Sequence, residues 1–253
     1  MKRLSYLLIP FGLIVLWQLA AMAVGGASYI LPGPLPVARI WWERLPIIMD
    51  HAWITFAEIL LGLLLGAVMG IGTALLMASS SRLFRWILPV LVVSQAIPVF
   101  ALAPILVLWL GYGLASKVAV SVIVIFFPVA TAFLDGLRRA DSGWVELART
   151  MNARPLSILI RIRLPAALPA LASGLRVATA VAPIGAVIGE WVGSSAGLGY
   201  LMLQANARMQ IPLVFAALLT LALFSVGLYL AVDMLLRRAI PWQADNLFSE
   251  SGS

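Results

Sequence analysis

Long apolar runs joined by short polar segments dominate the chain. Six of them approach the length of a bilayer crossing, at residues 6–25, 53–79, 87–110, 117–136, 170–192 and 211–235. About 20 consecutive apolar residues cross hydrocarbon as a helix, so the pattern predicts an all-α polytopic membrane protein with about six transmembrane helices. The two longest gaps, 26–52 and 137–169, leave no room for a soluble domain, and residues 1–253 read as a single transmembrane domain. The first run follows a basic start and ends in A-M-A, as a secretory signal does. Its apolar stretch from Tyr6 to Val24 is longer than a signal core, and an uncleaved first span is expected.

The pattern changes character over VELARTMNARPLSILIRIRLPAALP, residues 145–169, where Glu146, Arg149, Arg154, Arg161 and Arg163 interrupt the apolar text. Asp141 or Ser142 can cap a helix over 143–151. The N-A-R-P sequence then breaks it, Pro155 suits the first turn of a second helix reaching Arg163, and Leu164-Pro165 punctuates the start of the fifth run. Apolar positions at Val145, Ala148 and Met151, and at Leu156, Leu159, Ile160 and Ile162, give both helices a greasy face with a positive rim. The residues alone leave two readings open: a surface for a protein partner, or a basic loop that snorkels at the membrane.

Composition agrees with a membrane protein and narrows the chemistry. The chain is 63% hydrophobic and 11% charged, against roughly a quarter charged in soluble domains; its mean hydropathy is +1.06. With no cysteine and one histidine, His51, thiolate metal sites and an H-E-x-x-H site are excluded. A net charge of +7 could suggest nucleic acid, but its placement follows membrane orientation. With the amino terminus inside, Lys2, Arg3, Arg82, Arg85, Arg138, Arg139, Arg149, Arg154, Arg161, Arg163, Arg237 and Arg238 fall on the cytoplasmic side, with Arg176 at that edge. Only Arg39, Arg44, Lys117 and Arg208 fall outside. Both termini and the 137–169 loop are expected in the cytoplasm, and 26–52 and 193–210 outside.

Smaller features add detail. In LPGPLPVARIWWERL, Pro32, Pro34 and Pro36 favour extended backbone and are expected to block a helix there. Val37, Ile40, Trp41 and Leu45 then share the face of a short interfacial helix, read as a connector resting on the membrane. Gly62, Gly66 and Gly70 recur every fourth residue, a stripe for close helix packing. Pro98, Pro104, Pro128 and Pro183 lie inside spans and can bend them. Gln95 and Glu190 are polar groups in apolar spans, candidates to line a translocation path; Gln95 could equally serve a helix-to-helix hydrogen bond. An ion-coupled secondary transporter would concentrate charge at mid-depth, whereas Glu58 and Glu190 lie toward the ends of their runs. A membrane enzyme would need a catalytic constellation that His51 alone does not supply.

The loop resembles the EAA loop of ABC importer permeases, with Glu146, Leu147 and Ala148, then Asn152, then Leu164-Pro165 in the family's places. LPGPLPV, QAIPVFALAPILVLWLGYG and GEWVGSSAGLGYLM extend the resemblance over nearly the whole chain. Together they are similar to permeases of the nitrate, sulfonate, taurine and thiamine-pyrimidine importers. Leu147 departs from the family's middle alanine. Asn152 departs from its glycine and is the residue next most tolerant of a left-handed backbone.

The resemblance implies a type I ABC importer permease fold in a bacterial inner membrane, and a homodimer of this chain on a dimer of ABC ATPase subunits. A periplasmic or lipid-anchored solute-binding protein would deliver cargo. Glu146 would form the ionic contact with the ATPase within a coupling loop at 141–165. No G-x-x-x-x-G-K-[ST] occurs in the sequence, so ATP hydrolysis is assigned to the partner and no cofactor is expected. GEWVGSSAGLGYLMLQANARMQ looks closest to pyrimidine-importer permeases, and Glu190, Gln204 and Asn206 suit a neutral or cationic heterocycle. A thiamine-type pyrimidine precursor is therefore expected ahead of a sulfonate, taurine or nitrate.

Overall fold

A computed structural model describes residues 2–24 and 30–242, with 2–10 described by backbone alone. The expected placement of Lys2 and Arg3 concerns side chains outside the described residues. The described chain is helical throughout, with no strand among the described residues. Helix α1 spans Lys2–Ala23, α2 Pro34–Glu43 and α3 Leu45–Ser79, followed by α4 Ser81–Ala96, α5 Val99–Leu110 and α6 Leu114–Arg138. Then come α7 Ser142–Thr150, α8 Pro155–Ile158, α9 Leu164–Gly193, α10 Leu198–Ala207 and α11 Ile211–Ala239. A π-helical turn, Leu159–Arg163, joins α8 to α9 without a break.

Among the described residues, four helical stretches are long and apolar enough to cross a membrane: α3, α6, Pro155–Gly193 and α11. The bent pair α4–α5 can form a fifth crossing, and α1 contributes a shorter apolar helix, Phe11–Ala23. At ~1.5 Å per residue, the 35 residues of α3 reach about 50 Å, well past the ~30 Å of hydrocarbon. The helix thus begins at Leu45, eight residues before the expected run. It carries Asp50 and His51 on its first turns.

Three expectations are corrected. Residues 87–110 do not form one straight span: α4 and α5 meet at 101°. Pro98 has no N–H to continue the ladder, and it pushes the preceding Ile97 into extended backbone (φ −86°, ψ 121°). Pro34 and Pro36 do not prevent a helix. They open α2, where first-turn N–H groups have no helical partner to lose. Leu164-Pro165 does not separate loop from span, since the helix runs through. Pro165 withholds the N–H that would bond back toward Arg161, and the turn before it widens to π geometry.

Helix α6 is the hub, packed along its length by α3 and α9. A Cβ on Gly62 would lie 2.4 Å from Ser121 Cβ, one on Gly66 2.7 Å from Ile125 Cγ2, and one on Gly70 2.9 Å from the Phe126 carbonyl. The stripe on α3 therefore faces α6 within the chain. A second seam lies on α9, where Cβ atoms on Gly174, Gly185 and Gly189 would meet Ala132, Ser121 and Lys117 of α6 at 3.0 Å or less. Helix α2 is more than a resting connector. It buries Val37 completely, and Trp41 Nε1 donates to Thr220 Oγ1 of α11 at 2.9 Å.

Replacing Gly62 by Leu should lower stability by roughly 1–3 kcal/mol, the usual scale of overpacking. Gly72→Leu, on the same helix at a position where a Cβ would meet nothing within 4 Å, should change little. Thermal unfolding of both variants in detergent compares them directly.

Candidate functional site

Two clusters of polar residues stand out, at opposite ends of the bundle. The first is the 141–165 loop at the basic end, where α3, α6 and α11 finish. Asp141 is the N-cap of α7, its Oδ1 accepting from Gly143 N at 2.7 Å. Helix α7 closes with Ala153 N–H bonding back to Ala148 O and Asn152 N–H to Arg149 O, both at 2.9 Å. That double bond pattern is a Schellman closure, which needs a left-handed residue just past the cap. Asn152 supplies it with φ +59°. Its side chain makes no hydrogen bond within the described residues, and the residue is exposed.

Around this turn Glu146 and Leu147 point outward, with Ala148 half-buried. The exposed apolar groups are Trp144, Leu147, Met151, Leu156 and Ile160. Val145 is a correction: expected on the outer greasy face, it is buried, as is Ile158. These two fasten the loop to the body and turn Trp144 and Leu147 out in Val145's place. Leu164 is half-buried and Pro165 exposed where the π turn passes into α9. A cleft of about 370 Å³ lies beside the loop, with Arg149 and Arg163 at its edges and Leu156 and Ile158 in its wall.

The second cluster lies toward the opposite end, where α10 begins beside α3 and α9. A helix start leaves its first N–H groups without helical partners, and side chains from neighbouring helices take all of them here. Gly197 N donates to His51 Nδ1 at 3.0 Å, and Leu198 N to Thr55 Oγ1 at 2.7 Å. Gly199 N and Tyr200 N both donate to Glu190 Oε2. Thr55 Oγ1 in turn donates to Glu190 Oε1 at 2.6 Å, which joins α3 to α9 through the same carboxylate. Gly197, at φ +111°, lies so close to Glu190 that a Cβ would overlap its carboxyl group. The carboxyl oxygens sit at the positive end of α10, the favourable place for an acceptor beside a helix start.

One turn deeper, Lys117 Nζ of α6 donates to Glu58 Oε1 of α3 at 2.7 Å, with 8% and 0% of the two side chains exposed. Glu58 Oε2 and Ser121 Oγ beside this pair have no partner among the described residues. Lys117 is therefore not an outward basic residue, as hydropathy suggested, but one member of a buried pair joining the two helices.

The expected path residues separate. Gln95 is exposed on α4, whereas Glu190 is 1% exposed and enclosed by the Thr55 hydroxyl and the N–H groups of Gly199 and Tyr200. A carboxylate held in this way secures α10 and is closed to a passing solute. Thr55 and Gly197 escaped sequence reasoning, and so did the pairing of Glu58 with Lys117. The available signal was the second four-residue glycine stripe, Gly185, Gly189 and Gly193, of which the first two bring α9 against α6 and the third against Val107 of α5. A cavity of about 480 Å³ between α3, α10 and α11 is lined by Trp53, Phe56 and Phe224. Its two hydroxyls, Thr55 and Thr220, are already engaged, leaving no free polar group to orient a polar solute.

Residues 62–241 match the family described as binding-protein-dependent transport system inner membrane component. The chain belongs to this family of ABC importer permeases. It is 53% identical to a probable ABC transporter permease protein of Haemophilus influenzae, over 94% of this chain and 98% of that one. It is 39% identical to the formylaminopyrimidine transport permease protein ThiX of Halalkalibacterium halodurans, over 91% and 92%. Among solved structures, an inward-facing conformation of the MetNI methionine ABC transporter superposes with a TM-score of 0.69 at 21% identity, covering 78% of this chain and 98% of that one. That likeness establishes the fold. The permease is a multi-pass membrane protein and a transport subunit.

Breaking the buried pair from one side gives a test of the second cluster. Lys117→Met leaves Glu58 buried and unpaired and should cost about 3–5 kcal/mol. Lys117→Met combined with Glu58→Leu should recover most of that loss. Denaturation midpoints of the two single variants and the double variant in detergent give the coupling.

Proposed function

We propose that this permease forms the membrane path of an ATP-driven importer for a small polar metabolite, with a thiamine-type pyrimidine precursor as the favoured cargo over sulfonate, taurine or nitrate. Two copies would pair on a dimer of ABC ATPase subunits at the basic, cytoplasmic end. A solute-binding protein, periplasmic or lipid-anchored, would deliver cargo at the other end, in a bacterial inner membrane. The cargo preference is supported by the formylaminopyrimidine relative and by the polar residues Gln204 and Asn206 of α10, whereas Glu190, also expected to suit such a cargo, is taken up in capping that helix.

The observation that carries the coupling assignment is α7. It is a short capped helix that stands out from the bundle, tied down by Val145, with Glu146 and a row of apolar side chains facing away from the protein. A carboxylate ringed by exposed Trp144, Leu147 and Met151 is a surface built to be covered by protein. Pushing on α7 moves the start of the Pro155–Gly193 helix through the π turn and the end of α6 through the short 139–141 link. Glu146 supplies the ionic contact, Leu147 and Ala148 the packed surface, and Asn152 the turn, while Leu164 and Pro165 pass the movement into α9. Gln95, exposed on α4, remains the candidate for the path.

Buried charge is the observation that would favour an ion-coupled carrier. Here Glu190 is committed to capping α10 and Glu58 to Lys117, so both carboxyl groups have structural duties.

Glu146→Ala should insert and fold normally yet lose co-purified ATPase and driven uptake; normal uptake would remove the loop from the mechanism. Because Asn152 is left-handed through its backbone alone, Asn152→Gly should keep both assembly and uptake. Asn152→Val should impair both, with local strain of roughly 1–3 kcal/mol. Equal impairment by glycine and valine would transfer the role to the asparagine side chain. Uptake in cells unable to make the pyrimidine decides the cargo, and rescue by a sulfonate in place of the precursor would reverse the ranking.

A further inference from the structure

We propose that the basic end holds a site for the phosphate headgroup of an anionic phospholipid, in the cleft where α3 ends, α4 begins and α6 ends. The cleft encloses about 290 Å³, and Arg85 of α4, Arg138 of α6 and Arg163 of the π turn converge on it from three separate elements. No carboxylate lines it, and none of the three guanidinium groups lies within ion-pair distance of an acidic side chain among the described residues. Elsewhere the protein neutralises arginines beside its helices: Arg176 is paired with Asp233 at 2.7 Å, and Arg39 with Glu43 at 2.8 Å. Arg85 spends one N–H on the Ser81 carbonyl at 3.4 Å, and Arg138 lies 4.9 Å over the Phe84 ring, which orients its plane while leaving its hydrogens free.

Three such groups in one cleft repel one another unless an anion joins them, and a phosphate offers oxygens in the geometry that guanidinium forks bind best. The start of α4 adds to the attraction. Ser81 lines the cleft in the first turn of a 16-residue helix, whose dipole presents its positive end there.

The rest of the lining selects a lipid over a soluble anion. Met77, Phe84 and Leu134 form an apolar floor below the arginines, continuous with the membrane-spanning parts of α3 and α6. A free phosphate would balance the charge and leave that floor wet. A phospholipid puts its phosphate among the arginines and its glycerol and first methylenes on the floor, at the depth where basic pockets between membrane helices meet headgroups. The assignment is independent of what the importer carries.

Native mass spectrometry of the full chain in detergent, titrated with phosphatidylglycerol or with phosphatidylcholine of the same acyl chains, reads the site directly. The expected result is retained phosphatidylglycerol in clear excess over phosphatidylcholine. Affinity should fall roughly fivefold for each of Arg85→Gln, Arg138→Gln and Arg163→Gln, and on the order of a hundredfold for all three together. Arg208→Gln, a basic residue at the opposite end, should leave binding unchanged. Should the triple variant fail to fold, the three single variants carry the test, since Arg85 and Arg138 are exposed side chains with no structural partner but a carbonyl and a ring. Equal binding of the two lipids, or single variants that bind as the parent does, would overturn the proposal. Displacement of phosphatidylglycerol by excess inorganic phosphate would also overturn it, showing a free-anion site. Loss of lipid on adding the ATPase subunit would overturn it too, assigning the arginines to the protein partner.

Discussion

Helices inside a bilayer gain little by hiding apolar surface from one another, because the surrounding lipid is equally apolar. What holds this bundle together is therefore closeness of approach, and everything else in the permease depends on how closely α6 is gripped. Gly62, Gly66 and Gly70 let α3 lie against one side of it, and Gly174, Gly185 and Gly189 let α9 lie against the other. At such distances backbones touch backbones: Gly185 would meet the Ser121 Cα and Gly189 the Lys117 Cα. A side chain on α6 at this level has no exit to water. Lys117 is buried because α9 has no Cβ there to push it away, and a buried ammonium needs its counter-charge within the protein, which Glu58 provides from the other flank.

The same closeness explains the capping of α10. Glu190 follows Gly189 and is carried into the contact between α9 and α3, where a free carboxylate would be costly. The short α10 returns at that point and brings the unsatisfied N–H groups of its first turn. One carboxylate, one hydroxyl and one imidazole then satisfy four backbone donors and join three helices. The polar residues contribute specificity of arrangement, because every partner must be in place before any of them is satisfied. Helices α3, α6, α9 and α10 consequently behave as one body. Under the proposed coupling role, a push delivered to α7 would enter that body through α6 and through the unbroken Pro155–Gly193 helix.

Much of this was legible in the sequence, and the misses share one cause. The apolar runs located every spanning helix, and the capped, turn-broken loop was visible in Asp141, Asn152 and Pro155 because capping and left-handed turns are local chemistry. The bend at Ile97–Pro98 and the helical start at Pro34 were harder. A proline's effect depends on whether its missing N–H falls inside a helix or in the first turn, and hydropathy does not locate that boundary. The pairing of Lys117 with Glu58, 59 residues apart, was invisible. Each residue separately looked like a charge near the end of a span, and only packing across α6 brings them together. Val145 was placed on the wrong face for a related reason: periodicity defines a helix's apolar stripe, but α7 carries apolar residues on two sides, and tertiary contact decides which one is buried.

The bent pair α4–α5 stands apart from the gripped core, and that contrast bears on how the molecule can move. No glycine seam joins α4 to its neighbours, and Trp86, Val90, Val93, Phe100, Leu108 and Trp109 are left exposed along the pair. In a bilayer such a surface carries no penalty against lipid and none against a second subunit, so it can exchange one neighbour for the other at little cost. The bend at Pro98 has already given up the ladder bonds that would resist a change of angle. The permease thus combines a core whose polar and glycine contacts allow one arrangement with a hinged pair whose contacts tolerate several. A transporter that must hold its fold in register while opening and closing a path needs both, and Gln95, the proposed path residue, lies on the bent pair three residues before Pro98.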